Sequence, residues 1–138
     1  MSDDRFNHWK PPVIEHGKPT VYNWVVQYPD GLKLGRRTDI GAFTYINARH
    51  GVDLGDEVQI GSHCSIYSVS TIDGKTGPVV LGRNARVGAH SVIMPGVTIG
   101  ENAIVGAMSF VNADVPPDTV AFGVPARVVR QSTSPAEG

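Results

Sequence analysis

Residues 81–115 read LGRNAR VGAHSV IMPGVT IGENAI VGAMSF VNADV, and in this spacing an aliphatic residue returns every sixth position. Working outward, the same step runs back through Ile72, Ile66, Ile60, Leu54, Ile46 and Ile40 to Leu34. Four positions after each aliphatic residue stands a small or β-branched one, from Thr38 and Thr44 through Cys64, Ser70 and Thr76 to Val115, with His50 as the exception. A glycine follows the aliphatic residue in eight of the thirteen units. Such a short fixed period marks a solenoid. Positions i and i+4 share parity in an extended strand and point to one face. A six-residue step closes a coil only if a turn interrupts each strand, and glycine suits that turn. Three units then make a coil of about eighteen residues, and coils stack at the ~4.8 Å spacing of parallel strands.

Hexapeptides such as Ile40-Gly-Ala-Phe-Thr-Tyr, Ile60-Gly-Ser-His-Cys-Ser and Val87-Gly-Ala-His-Ser-Val resemble the left-handed parallel β-helix of the hexapeptide acyltransferases. The run from Val79 to Arg130, with its Pro95-Gly96-Val97 turn and closing Gly123-Val-Pro-Ala-Arg, is similar to the sugar O- and N-acetyltransferases, the galactoside acetyltransferase branch among them. The resemblance implies an all-β, left-handed parallel β-helix. The handedness comes from the resemblance alone, because right-handed crossovers are the general rule for parallel strands.

The chain of 138 residues is long enough for one modest core. A formal charge of −1 at pH 7 supplies no basic field, so neither nucleic acid nor an anionic membrane surface is indicated as a partner. The single cysteine, Cys64, cannot form an internal disulfide, and its small-residue position assigns it to packing rather than to a catalytic thiol. No apolar run approaches the ~20 residues of a membrane helix, and the charged Met1 to Lys10 stretch is unlike a signal peptide. The expectation is a soluble cytoplasmic protein. Its three parts are an N-terminal arm and capping strand (1–33), the hexapeptide β-helix (34–116) and a C-terminal extended segment with a disordered tail (117–138).

Met1 to His16 reads as a poorly ordered arm or an extended strap. Thr20 to Tyr28 alternates as a strand does, and Pro29-Asp30-Gly31 turns into the first coil. An aromatic strand here would cover the open end of the solenoid; alternatively Tyr22, Trp24 and Tyr28 line a sugar or nucleotide pocket. Two insertions break the repeat, one at Ala48 to Asp53 and one at Asp73 to Pro78. Insertions in a solenoid map to loops that leave the coil and mount binding groups. Beyond Pro116 and Pro117, Asp118 to Arg130 reads as an extended segment and Gln131 to Gly138 as disordered.

The resemblance implies that the second loop carries a catalytic histidine, and this chain has none between Cys64 and His90. Acetyl transfer from coenzyme A to a hydroxyl needs a base to take the hydroxyl proton, and histidine suits that role. An amine acceptor of lowered pKa needs less help. The candidates for base are His90, outward at i+3 of its unit, and Asp73, which opens the second loop. His63 also points outward, in this reading from a different corner, and His50 flanks the first insertion.

For acetyl-CoA as acyl donor, the resemblance implies a groove between neighbouring subunits and places Ala89, Ala107, Asn112, Ala113 and Arg127 along it. Small residues there let the pantetheine arm approach the strand edge. Asn112-Ala113 stands where the family often has Thr-Lys, so Arg127 or Arg130 would supply the phosphate-binding cation. The reading is therefore a homotrimeric acyltransferase acting on a sugar or nucleotide-linked sugar. Two readings compete with it: a β-helix scaffold without catalysis, and a γ-carbonic-anhydrase-like zinc enzyme, whose His-x4-His pair this sequence lacks.

Overall fold

A computed structural model describes residues 7–132 of the chain. Its first coil carries β1 (Val25–Gln27), β2 (Leu32–Leu34) and β3 (Asp39–Ile40), and the second β4 (Tyr45–Asn47), β5 (Val52–Leu54) and β6 (Gln59–Ile60). The third coil begins with β7 (Ser65–Tyr67), leaves the body as a hairpin of β8 (Val69–Ser70) and β9 (Lys75–Thr76), and returns in β10 (Val79–Leu81) and β11 (Arg86–Val87). Then follow β12 (Val92–Ile93), β13 (Thr98–Ile99), β14 (Ile104–Val105), β15 (Phe110–Val111), β16 (Thr119–Gly123) and β17 (Ala126–Gln131).

These strands make three faces of a prism. Face A is β1-β4-β7-β12-β15, face B is β2-β5-β10-β13, and face C runs β3-β6-β11-β14-β16 with β17 at its edge. Within the coils all pairing is parallel, and like positions of successive hexapeptides lie in register, as in Ile46↔Ile66, Leu54↔Leu81 and Val87↔Val105. The all-β architecture is a left-handed parallel β-helix of about five turns.

Periodicity dictates the core. Val26, Ile46, Ile66, Ile93 and Val111 fill the prism from face A, Leu54, Leu81 and Ile99 from face B, and Ile60, Val87 and Val105 from face C, all essentially without exposure. The small residues pack at the corners. Thr44, Cys64, Ser91 and Ser109 form a column where face C meets face A, and their side chains bond from coil to coil: Thr44 Oγ1 donates to the Gly61 carbonyl at 2.9 Å and accepts the Cys64 N–H at 3.2 Å. Ser91 repeats the pattern, donating to the Gly106 carbonyl and accepting the Ser109 N–H, both at 3.2 Å, and Ser109 Oγ accepts the Gly123 N–H at 3.1 Å. Buried polar atoms are satisfied while each coil is tied to the next. Cys64 belongs to this column; burial pushes its thiol pKa up, which suits packing and not nucleophilic chemistry.

The glycines have a different role from the one the turn argument assigns. A Cβ on Gly61 would lie 2.5 Å from the Ala89 nitrogen of the next coil, and one on Gly82 2.8 Å from the Glu101 nitrogen. The left-handed backbone comes two residues later, on His63 (φ 58°), Asn84 (φ 59°), His90 (φ 62°) and Asn102 (φ 62°). The glycine column thus serves close approach of backbones, while the αL residue makes the corner. Asparagine accepts that conformation readily, and where face B meets face C it adds a ladder, Asn84 Nδ2 to Asn102 Oδ1 at 2.8 Å and Asn102 Nδ2 to Asp118 Oδ1 at 3.2 Å.

Four readings are corrected. The strand anticipated over Thr20 to Tyr28 is confined to Val25–Gln27, because Asn23 (φ 67°) and Tyr28 (φ 60°) are left-handed. That segment pairs parallel with β4 and is itself the first rung, its Trp24 2% exposed in the core. Ile72 is no core residue: at 95% exposed it lies between β8 and β9, and Ser70 and Thr76 leave the prism with it. At the C-terminus, Asp118 to Arg130 does not run back as one extended segment. β16 and β17 form an antiparallel pair, Phe122 opposite Arg127. Gln131 closes this pair and Ser132 bonds the Asp118 and Asn102 carbonyls, so disorder does not begin at Gln131. Residues 133–138 of the expected tail, like 1–6 of the arm, lie outside the described residues.

The rest of the arm is a strap. Ile14 packs against the core, the Gly17 N–H bonds the Val26 carbonyl at 2.8 Å, and His16 Nδ1 accepts the Tyr28 N–H at 2.9 Å. Among the described residues no helix is long and apolar enough to cross a membrane.

Candidate functional site

The second insertion builds a recess on the outside of the coil. At the edge where face A passes into face B, the β8–β9 hairpin stands off the body, and a cleft of about 510 Å³ opens between it and the outer surface of face A. Tyr45, Asn47 and Tyr67 line it from face A, Met94 from the coil above, and Ile72 and Asp73 from the hairpin. Tyr45 and Tyr67 are outward residues of strands whose inward residues are Ile46 and Ile66, so one periodicity fixes both the core and the cleft.

The polar groups of the cleft are ordered. The Tyr45 hydroxyl donates to Gln27 Oε1 at 2.8 Å and accepts from Asn47 Nδ2 at 3.3 Å, while Asn47 Oδ1 accepts the Arg49 N–H at 3.1 Å. The Tyr45 and Tyr67 rings lie with centroids 5.7 Å apart at 51°. Asp73 Oδ1 accepts the Lys75 N–H at 3.2 Å, and Lys75 Nζ is 3.9 Å from Oδ2. That N–H, with smaller help from Ser70 and the Lys75 charge, holds the Asp73 carboxyl below its ordinary value. The exposed carboxylate is accordingly a weaker base than an ordinary aspartate, and a persistent negative charge at neutral pH.

His90 belongs to the opposite edge of face A. It takes the αL corner where face C turns into face A, and so does His63; the two rings stack with centroids 4.8 Å apart and planes within 6°. Phe43 continues the column below, 5.2 Å from His63, and Met108 occupies the same corner above. His63 therefore shares the corner of His90, contrary to the expectation of a different one. The residues inserted between them, which lift the hairpin out, disguise the shared phase. Across face A, Ser68 lies five positions beyond His63, and at ~3.3 Å per step the face is roughly 16 Å wide. Within one chain, His90 and Asp73 thus stand at opposite edges and do not meet.

The five residues expected along the cofactor divide in the same way. Ala89 and Ala107 stack at the His90 edge, the Met108 N–H bonding the Ala89 carbonyl at 2.9 Å, and Arg127 lies beside Phe122 at the top of that edge. The Arg127 guanidinium bonds the Ala126 carbonyl at 2.9 Å and is exposed. Asn112 and Ala113 follow β15 at the hairpin edge and are exposed. His50 is exposed beside the first insertion, its N–H on Ser68 Oγ at 3.0 Å, because Ala48 has taken the inward place. Sequence reasoning missed Tyr45, Asn47 and Tyr67. The signal was their outward parity directly below the second insertion.

Residues 78–113 match the family model described as bacterial transferase hexapeptide (six repeats). The chain is 34% identical over 149 residues to galactoside O-acetyltransferase of Escherichia coli (strain K12), an alignment that spans 91% of this chain and 73% of that protein. A hexapeptide-repeat acetyltransferase from Vibrio cholerae superposes with a TM-score of 0.75 at 30% identity, covering 80% of this chain and 68% of that one. A galactoside acetyltransferase in complex with coenzyme A does so with a TM-score of 0.75 at 31% identity, covering 83% of this chain and 62% of that one.

Proposed function

The chain belongs to the hexapeptide-repeat acetyltransferases, with acetyl-CoA as its acyl donor, and we propose that it acylates a sugar or nucleotide-linked sugar by direct transfer within a homotrimer. The observation that carries this reading is the match over 91% of the chain to a protein named for acetylating galactosides. The cleft under the hairpin supports it, since about 510 Å³ is the size of a small-molecule site and aromatic faces beside polar groups suit a pyranose.

The separation of the candidate groups supports assembly. His90 with Ala89 and Ala107 occupies one edge of face A, and Asp73 with the cleft occupies the other. Copies packed about a threefold axis would lay the His90 edge of one along the hairpin edge of the next. A groove too shallow on one chain is then enclosed by two. Coenzyme A would run in that groove, held by Ala89, Ala107, Asn112, Ala113 and Arg127. The acceptor nucleophile attacks the thioester carbonyl carbon, the C–S bond breaks, and the proton passes to His90 or Asp73. Backbone N–H groups at the coil edge stabilise the oxyanion.

The test is release of free thiol from acetyl-CoA, followed spectrophotometrically with hydroxyl and amino sugars, free and nucleotide-linked. Sugar-dependent release with recovery of an acetylated sugar supports the reading; release that no sugar accelerates contradicts it.

A further inference from the structure

We infer that the strap and the first coil together form a binding site for a nucleoside phosphate, with the phosphate on Lys10 and Arg36 and the nucleobase in an aromatic recess beside Trp9. The site goes beyond the transferase reading. It lies away from the groove in which that reading puts acetyl-CoA, and it asks nothing of the acceptor.

Two recesses between the strap and the first coil meet at Trp9, which lines both. One, of about 590 Å³, lies at the corner where face B turns into face C, with Lys10, Arg36 and Arg37 in its lining. The other, of about 190 Å³, lies under the first rung of face C and is lined by Pro12, Tyr22, Trp24, Thr38 and Asp39 as well. The chain turns the corner at Arg37 (φ 57°), which leaves Arg36 and Arg37 in the first recess and Thr38 and Asp39 in the second. At ~3.3 Å per step, Arg36 and Asp39 stand at most roughly 10 Å apart, which is the length of one nucleotide from phosphate to the far edge of its ring.

The first recess is cationic. Among the described residues neither Lys10 nor Arg36 forms an ion pair. One coil further along, the same corner is neutralised, with Arg83 at 3.4 Å from Glu57 and 3.6 Å from Glu101. The Asp56 carboxylate accepts the Arg36 N–H at 2.8 Å and so holds the backbone that carries this side chain. On a chain of formal charge −1, three cations around one recess make a local positive field. Guanidinium and ammonium groups are the side chains that pair with phosphate.

The second recess is aromatic. Trp24 is 2% exposed and anchored in the core, while Tyr22 is 53% exposed, so a fixed wall and an open one bound the same space. Aromatic side chains stack on any nucleobase, and the Asp39 carboxylate and Thr38 hydroxyl supply acceptors for its N–H groups. A bare anion has no use for the aromatic walls, and an apolar ligand gains nothing from Lys10 and Arg36. A nucleotide uses both, with Trp9 at the joint. Neither edge of face A is involved: His90 marks the corner of faces C and A, the hairpin that of faces A and B, and Arg37 the third.

The experiment titrates the full chain calorimetrically with AMP, GMP, UMP and CMP, with the four parent nucleosides and with inorganic phosphate, in the absence and presence of saturating acetyl-CoA. Tryptophan fluorescence is followed alongside, since Trp9 and Trp24 are the two tryptophans of the chain. The inference expects at least one nucleotide to bind tenfold or more tighter than both its nucleoside and phosphate, with acetyl-CoA present or absent. The double variant K10A/R36Q, whose native side chains are exposed, should weaken that binding at least tenfold and leave acetyl-CoA affinity and the melting temperature unchanged. Trp9→Ala should weaken it too, while Trp9→Phe keeps an aromatic ring and most of the affinity but loses most of the fluorescence quenching. Phosphate that binds as tightly as every nucleotide overturns the inference. So does a nucleotide displaced by acetyl-CoA, which would sit in the donor groove, and so does binding that K10A/R36Q leaves intact.

Discussion

The imidazole of His90 lies flat on that of His63, centroids 4.8 Å and planes 6° apart, although they stand 27 positions apart in sequence. Both occupy the αL corner at which face C turns into face A. The histidines are therefore one structural unit, and their edge of the prism is the one remote from Asp73.

If a site forms where two copies meet, His90 and Asp73 act from different chains. Variants H90A and D73N should each lose transfer, His90→Ala by about 100-fold or more if it is the general base. Unfolding the two inactive variants together and refolding them as mixed trimers should restore part of the activity, because some seams then pair an intact His90 with an intact Asp73. Activity that stays at the level of the parents would place both groups in one chain's site or remove one from the mechanism.

Ile66 and Ile72 occupy the same position of consecutive hexapeptides, yet Ile66 has no exposure and Ile72 is 95% exposed. Ile66→Ala should cost about 2–5 kcal/mol through lost burial and the cavity left behind, and Ile72→Ala should stay within ~0.5 kcal/mol. Urea unfolding of both variants measures the contrast, and equal losses would put Ile72 in the core.

Gly61 faces the Ala89 backbone so closely that an added Cβ would stand 2.5 Å from its nitrogen. Two stacked backbones cannot yield as a flexible side chain does. Gly61→Ala should cost at least ~1–3 kcal/mol, in the range of overpacked sites. Gly74, with nothing within 4 Å of its would-be Cβ, should show only the smaller effect of its positive φ. Thermal melts of the pair separate crowding from backbone conformation.

The Asp73 carboxyl is held below its ordinary value of 3.8, chiefly by the Lys75 N–H. A depressed folded value favours the folded state above the unfolded pKa, and that contribution is lost as pH falls through the folded value. Carbon-detected NMR should find the Asp73 midpoint below 3.8, and Lys75→Ala should keep most of the depression because the backbone donor survives. A midpoint above 3.8 would mean that the hairpin does not hold this bond in solution.

Much of the architecture was legible because inward side chains repeat. The i and i+4 columns name the core from Ile40 to Val115 and the packing role of Cys64. The same frame misled at Ile72, where the spacing continues by coincidence through a segment that has left the prism. It also misassigned the corner of His63, since the hairpin puts residues between His63 and His90 that a count by sixes cannot discount. The glycines were legible as a column, but their reason was not: contact between coils is absent from any single hexapeptide. Tyr45, Asn47 and Tyr67 escaped notice because periodicity reports what faces in, and the cleft is built from what faces out.

Calorimetric titration of the purified protein with acetyl-CoA, with its mass in solution recorded alongside, tests the central claim most directly. The account predicts saturable binding to a trimer at one site per chain, weakened by Arg127→Ala. A properly folded protein that binds neither acetyl-CoA nor CoA would contradict it.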